Sequence, residues 1–141
     1  MADVQFIDHT LEVQGLIESL IVQGLEESAG ELKSLLVDIT AVDTGQLRGS
    51  WSHTVNGSNG HFVATVGSPL ENAIWEEFGT GEYALNGDGR KGGWGYEDPK
   101  TGETVFTRGK HPKRPFHKAY TIKKNTLIQH VKDVVKRGLS S

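Results

Sequence analysis

The sequence contains no cysteine. That excludes disulfide frameworks and thiolate metal sites, and it fits a protein that folds in a reducing cytoplasm. No apolar run reaches the roughly 18 residues of a membrane-crossing helix, so no transmembrane span is expected. The opening Met1-Ala2-Asp3-Val4 lacks the basic-then-apolar pattern of a secretory signal peptide. Hydrophobic residues are also scarce, at 35% of 141, with a mean hydropathy of -0.41. The length suits one domain with one core. So lean a composition implies that neighbours in an assembly supply part of the buried surface.

Arrangements that carry catalysis are missing as well. The six histidines (His9, His53, His61, His111, His117 and His130) form neither His-x-x-x-His nor His-Glu-x-x-His, so no helical zinc pair arises. His53 and His61 flank a turn and read as half-exposed strand residues. His111 and His117 lie beside Lys110, Lys113, Arg114 and Lys118, which repel a metal cation. Glu76 and Glu77 are adjacent and on a strand would point to opposite faces, which does not suit an acid–base pair aimed at one bond. Gly-x-Gly occurs at Gly79/Gly81 and Gly87/Gly89, but neither pair follows a clear strand and opens a helix, as a phosphate loop does. No Gly-x-Ser-x-Gly elbow is present. The chain reads as a non-enzyme with no cofactor.

What the sequence has in excess is glycine and unevenly distributed charge. Of 18 glycines, 14 lie between Gly45 and Gly109, so turns, short strands and loops are expected in the middle of the chain. The net charge of -3 conceals a split: residues 1–107 carry 17 acids and 5 bases, and residues 108–141 carry 10 bases and the single acid Asp133. Such a split fits a solvated basic helix face, a basic face for nucleic acid, or a subunit whose basic end meets a neighbour's acidic side.

Val4 and Phe6 read as a short first strand. From about Asp8 or Thr10 to Ile39, apolar residues recur at gaps of three and four: Val13, Leu16, Ile17, Leu20, Ile21, Leu25, Ala29, Leu32, Leu35, Leu36 and Ile39. They define one long amphipathic helix, in which Gly15, Gly24 and Gly30 permit a bend or a close helix contact. Asp43 is expected to cap the turn that follows, with Gln46 reaching back. Trp51, His53 and Val55, then Phe62, Ala64 and Val66, alternate with polar neighbours around Asn56–Gly60 as a hairpin. Residues 72–78 fit either a strand or a helical turn. Residues 79–93 hold six glycines and read as a long flexible loop. Trp94 and Tyr96 pair with Val105 and Phe106 in a second hairpin. Pro115 opens a last helix along Phe116, Ala119, Tyr120, Leu127, Val131, Val134 and Val135, which Gly138 is expected to stop. The expected fold is one α+β domain over 1–141: a long N-terminal helix, an antiparallel sheet of about four strands in two hairpins, and a C-terminal helix packed on the sheet.

Three segments stand in order. They are Val42-Asp43-Thr44-Gly45-Gln46-Leu47-Arg48-Gly49-Ser50-Trp51, Ala73-Ile74-Trp75-Glu76-Glu77-Phe78-Gly79-Thr80-Gly81 and Arg114-Pro115-Phe116-His117-Lys118-Ala119-Tyr120. Together they resemble the minor tail-component family of phages and prophages, the gene-product-ten-like neck proteins. Ala41 stands where that family often has proline, and the glycine-rich stretch 85–95 is not typical of it. The resemblance implies a structural virion protein of the head–tail junction, present in the host cytoplasm during assembly. It would act as a homo-oligomeric ring between connector or head-completion proteins and tail-tube or tail-terminator proteins, with no membrane contact. On that reading Asp43, Arg48, Glu77, Gly79 and Gly81 hold turns, with Glu77 accepting from loop N–H groups or pairing with Arg48. Tyr83, Leu85, Arg90, Lys91 and Trp94 in and beside the loop are candidate assembly contacts. Lys110, Lys113, Arg114 and Lys118 would meet an acidic neighbour or genomic DNA in the channel. The alternative is a nucleic-acid-binding module using the basic C-terminal helix, with affinity falling steeply as salt rises.

Overall fold

The computed structural model describes residues 8–40 and 45–140. The strand expected at Val4 and Phe6, and the cap at Asp43, lie outside the described residues. The elements run α1 (Thr10–Ile39), α2 (Gln46–Ser50), β1 (Ser52–Ser58), β2 (His61–Gly67), α3 (Glu71–Phe78), a single 3-10 turn (Gly81–Tyr83), β3 (Trp94–Glu97), β4 (Thr104–Thr107) and α4 (Pro115–Ser140). This is an α+β fold. The four strands form two separate two-stranded sheets, β1–β2 and β3–β4. Residues 72–78, ambiguous in the sequence, belong to a helix. The glycine at 138 does not stop α4, because there it serves packing. A Cβ at that position would overlap the side chain of Leu20.

Contacts gather the chain into two compact units. One comprises the described residues up to Lys33, with His53–Val66 and the chain from Lys123 onward; the other comprises Ser34–Ser52 and Gly67–Ile122. In the first unit, α1 and the latter part of α4 run antiparallel. Leu20 meets Gly138 and Gly24 meets Val131, and Ser28 Oγ donates to the carbonyl of Leu127 at 2.8 Å. Ala29, Leu32 and Val134 are buried, as is the hydroxyl-bearing Ser28, whose hydrogen bond removes the penalty of burial. The β1–β2 hairpin turns His53, Val55, Phe62, Ala64 and Val66 inward, as the period-two pattern predicts. His53 Nε2 lies 3.0 Å from Glu26 Oε2.

The charge split takes on a different meaning here. Within this unit Glu27 Oε2 lies 3.0 Å from His130 Nε2. That hydrogen bond is the main cause holding the Glu27 carboxyl below its ordinary value. The acidic first helix therefore packs against the last helix inside one chain, and elsewhere Lys110 and Arg108, two of the ten late bases, pair with the earlier acids Glu76 and Glu82.

Gly24 and Gly15 should respond to alanine with opposite signs. A Cβ on Gly24 would lie 2.9 Å from the Val131 Cα, a backbone atom that moves only if the helices separate, whereas Gly15 faces open space. Gly15→Ala is expected to stabilise by about 0.5–1 kcal/mol through helix propensity. Gly24→Ala is expected to lose that gain and destabilise by about 1–3 kcal/mol through overpacking. Denaturant titration of the two variants checks the contrast.

The second unit has its own buried set: Leu36, Leu47, Trp51, Ala73 and Ala119. Leu36 is fully enclosed.

Candidate assembly surface

An α-helix ends with carbonyls that have no partner within the helix. At the end of α1 the carbonyl of Leu36 accepts from the Thr40 backbone N–H at 2.9 Å and from its hydroxyl. That hydroxyl in turn accepts from the Trp51 indole Nε1 at 2.8 Å. Arg48 Nε donates to the Val37 carbonyl at 2.9 Å, which places a cation at the negative end of the helix. Arg48 thus acts as a cap on α1 rather than as a partner of Glu77. Gly45, at φ 66°, supplies the left-handed turn before α2.

In helical α3, successive residues point about 100° apart rather than to opposite faces, consistent with 3.6 residues per turn. Glu77 faces the start of α4. Its Oε2 accepts from the Phe116 N–H at 2.8 Å and its Oε1 from the His117 N–H at 3.0 Å. A carboxylate there satisfies two orphan donors and complements the positive helix end. Glu77 therefore caps the start of α4, through a partner 39 residues away. Glu77→Gln should destabilise by about 1 kcal/mol, with Glu77→Ala at about 1–2 kcal/mol, read from chemical denaturation.

Glu76, which the sequence did not single out, is 5% exposed. Its carboxylate pairs with the Lys110 ammonium, and its carbonyl accepts from the N–H groups of Lys113 at 2.9 Å and Arg114 at 3.1 Å. Lys110 was expected at the basic interface; the structure gives its charge to a buried carboxylate, as burial of that carboxylate requires. Arg114 stands just before α4 with φ 52°, a strained backbone for a non-glycine residue. Its Nε is buried without a hydrogen-bond partner among the described residues. Lys113 and Lys118 are exposed.

Gly79 and Gly81 adopt φ 73° and 62°. They let the chain run against residues 108–110: Thr80 N–H donates to the Lys110 carbonyl and Glu82 N–H to the Arg108 carbonyl, each at 2.9 Å. Further along the glycine-rich stretch, Leu85 N–H donates to the Phe78 carbonyl at 2.7 Å. Gly92 N–H reaches Glu82 Oε1 at 3.2 Å. Tyr83 stacks on His111 with centroids 3.8 Å apart, and the Arg90 guanidinium lies 5.7 Å from the Trp94 ring centre. Of the candidate assembly contacts, Arg90 and Trp94 are thus brought together. Leu85, 45% exposed, and Lys91 stand open to solvent.

The β3–β4 register pairs Trp94 with Thr107 and Tyr96 with Val105, so both aromatic rings lie on one face of the hairpin. That face helps to form a cleft of about 520 Å³, lined by Trp75, Thr80, Trp94, Tyr96, Thr107, Gly109 and Lys110. Large apolar side chains of α3 are open to solvent: Ile74 is 59% exposed, Trp75, which lines the cleft, 48% and Phe78 43%. Trp75 and Tyr96 carry no sequence signal as surface residues, because an aromatic at helical or strand spacing more often belongs to a core. The cleft lacks a nucleophile beside a base. Among the described residues no group of three or more His, Cys, Asp and Glu could hold a metal ion, and no helix is long and apolar enough to cross a membrane.

Neither the curated proteins nor the solved structures give a significant match to the chain. A family model does match, over residues 5–79, and its description reads "Bacteriophage HK97-gp10, putative tail-component". That span covers more than half of the chain. It holds Arg48, which caps α1, and Glu77, which caps α4. The first of the three motif segments lies inside it, the second runs two residues past its end, and Arg114–Tyr120 lies beyond. The chain belongs to the HK97-gp10-like family of phage tail components.

Proposed function

We propose that this chain is a non-enzymatic structural subunit of the head–tail junction, a single neck domain over 1–141 that assembles as a ring and joins the connector to the tail. The observation that supports this best is the exposed apolar surface of the second unit, where Ile74, Trp75, Phe78, Leu85, Tyr96 and Phe106 are all between 43% and 63% exposed. Large apolar side chains left this open fit a surface that another protein covers. The glycine-rich stretch 79–93, with Tyr83, Leu85, Arg90 and Lys91, would contact the next subunit or the adjoining ring. Arg114, Lys113 and Lys118 would face an acidic neighbour or genomic DNA. Head-to-tail contacts between identical subunits close into rings when the rotation permits. The charge split is a weaker argument for such contacts than it was in the sequence, since Lys110 and Arg108 already pair with earlier acids within the chain.

Native mass spectrometry and negative-stain microscopy of the chain, alone and with its neighbouring connector and tail proteins, test the reading. Rings of one defined stoichiometry are expected, alone or on the partner. A chain that stays single in both conditions and never joins the partners would refute it.

A further inference from the structure

The apolar stripe of α1 is buried at Ala29, Leu32 and Leu36, yet its first turns are open: Leu11 is 83% exposed, Val13 48% and Leu16 47%. Glu12 stands beside Val13 and four residues before Leu16, on the same side of the helix, and its side chain is 80% exposed. An apolar helix start with an acid beside it is thus offered to solvent. The cleft in the second unit has the opposite chemistry. Trp75, Trp94 and Tyr96 supply apolar ring faces, while Arg90, held over Trp94, places positive charge beside one of them.

We propose that the first turns of α1 in one copy dock in the aromatic cleft of the next copy, with Val13 and Leu16, three residues apart on one face, against the rings and Glu12, four residues before Leu16, facing Arg90. This rests on the ring reading above and names the contact that builds the ring. Tryptophan, tyrosine and arginine are the residue types that dominate interface energetics. The two surfaces differ, so the contact is heterologous and leaves a pair of copies with one free cleft and one free helix start, to which further copies add until a ring closes. Stacked bases also suit a cleft of aromatics and arginine. A protein occupant is favoured because the complementary apolar and acidic face is present on the same chain.

Two full-length variants test this: Leu16→Glu, which blocks the helix start, and Trp75→Ser, which blocks the cleft. Arg90→Glu, an exposed change, is a second block on the cleft side should Trp75→Ser fold poorly by circular dichroism. Analytical ultracentrifugation reads the result, with the purified neck partners added where the wild type needs them to assemble. Each variant alone should lose assembly, with a rise of about tenfold or more in dissociation constant. Mixing a helix-blocked with a cleft-blocked variant should restore one-to-one pairs and nothing larger, because only one competent contact remains. Variants that assemble like the wild type would overturn this contact and leave the ring reading standing. A wild type that stays single even with its partners would overturn both. Oligonucleotide binding that weakens with salt and is lost in Trp75→Ser, with assembly unchanged, would assign the cleft to nucleic acid and overturn the proposal.

Discussion

Trp51→Ala should lower the free energy of unfolding by about 3–5 kcal/mol, as expected for truncating a buried large aromatic. Trp51 is 6% exposed, and its indole N–H supports Thr40 at the end of α1. The alanine variant loses both the packing and the donor. Trp51→Phe keeps most of the packing and removes the donor, so its loss should be nearer 1 kcal/mol beyond any change in fit. Urea denaturation of the three proteins separates the contributions. Equal losses for both variants would mean that the hydrogen bond, rather than the volume, carries the effect. The long helix and the segment after it would then be joined mainly by one polar contact.

Gly81→Ala is the second large effect. The backbone at Gly81 has φ 62°, and a Cβ there would overlap the Arg108 carbonyl oxygen, the acceptor for the Glu82 N–H. The substitution meets a left-handed conformation that costs alanine about 1–2 kcal/mol and a backbone clash worth about 1–3 kcal/mol more. A total of about 2–5 kcal/mol is therefore expected. Gly87 isolates the conformational part: it has φ 71°, but a Cβ there meets nothing. Gly87→Ala should cost only about 1–2 kcal/mol. Thermal unfolding of both variants tests the difference. Because the pairing of 80–82 with 108–110 shapes one wall of the aromatic cleft, Gly81→Ala should also impair assembly, while Gly87→Ala should leave it intact.

Long periodic segments were legible from the sequence, and isolated short ones were not. The α1 stripe from Val13 to Ile39 and the alternation of Trp51, His53 and Val55 with their polar neighbours define their elements locally, because many residues share one period. Residues 72–78 are too few to distinguish a helix from a strand, and the structure makes them part of α3. Gly138 reads as a stop because glycine so often ends helices; in the fold it makes room for Leu20 across a helix pair. Arg48 and Glu77 were recognisable as structural residues from their motifs. Their partners, the Val37 carbonyl and the first N–H groups of α4, were not, because capping depends on which helix ends meet in space. The same limit applies to charge. The separation of acids from bases along the chain is real in sequence, but the late base Arg108 pairs with the earlier acid Glu82. Lys110 illustrates it at one residue: beside Lys113 and Arg114 it looks like part of a basic patch, yet its charge belongs to buried Glu76. The cleft formed by Trp75, Trp94 and Tyr96 requires α3 and the second hairpin to converge, and no local pattern announces it.

The most direct measurement is cryo-electron microscopy of finished particles from the phage or prophage that carries this gene, compared with particles assembled in its absence. The account predicts a ring of density, into which this fold docks, between the capsid vertex and the tail tube. Without the gene, heads and tails should accumulate unjoined. Complete, joined particles in its absence, with no density that fits the chain in the wild type, would contradict a structural role at the junction.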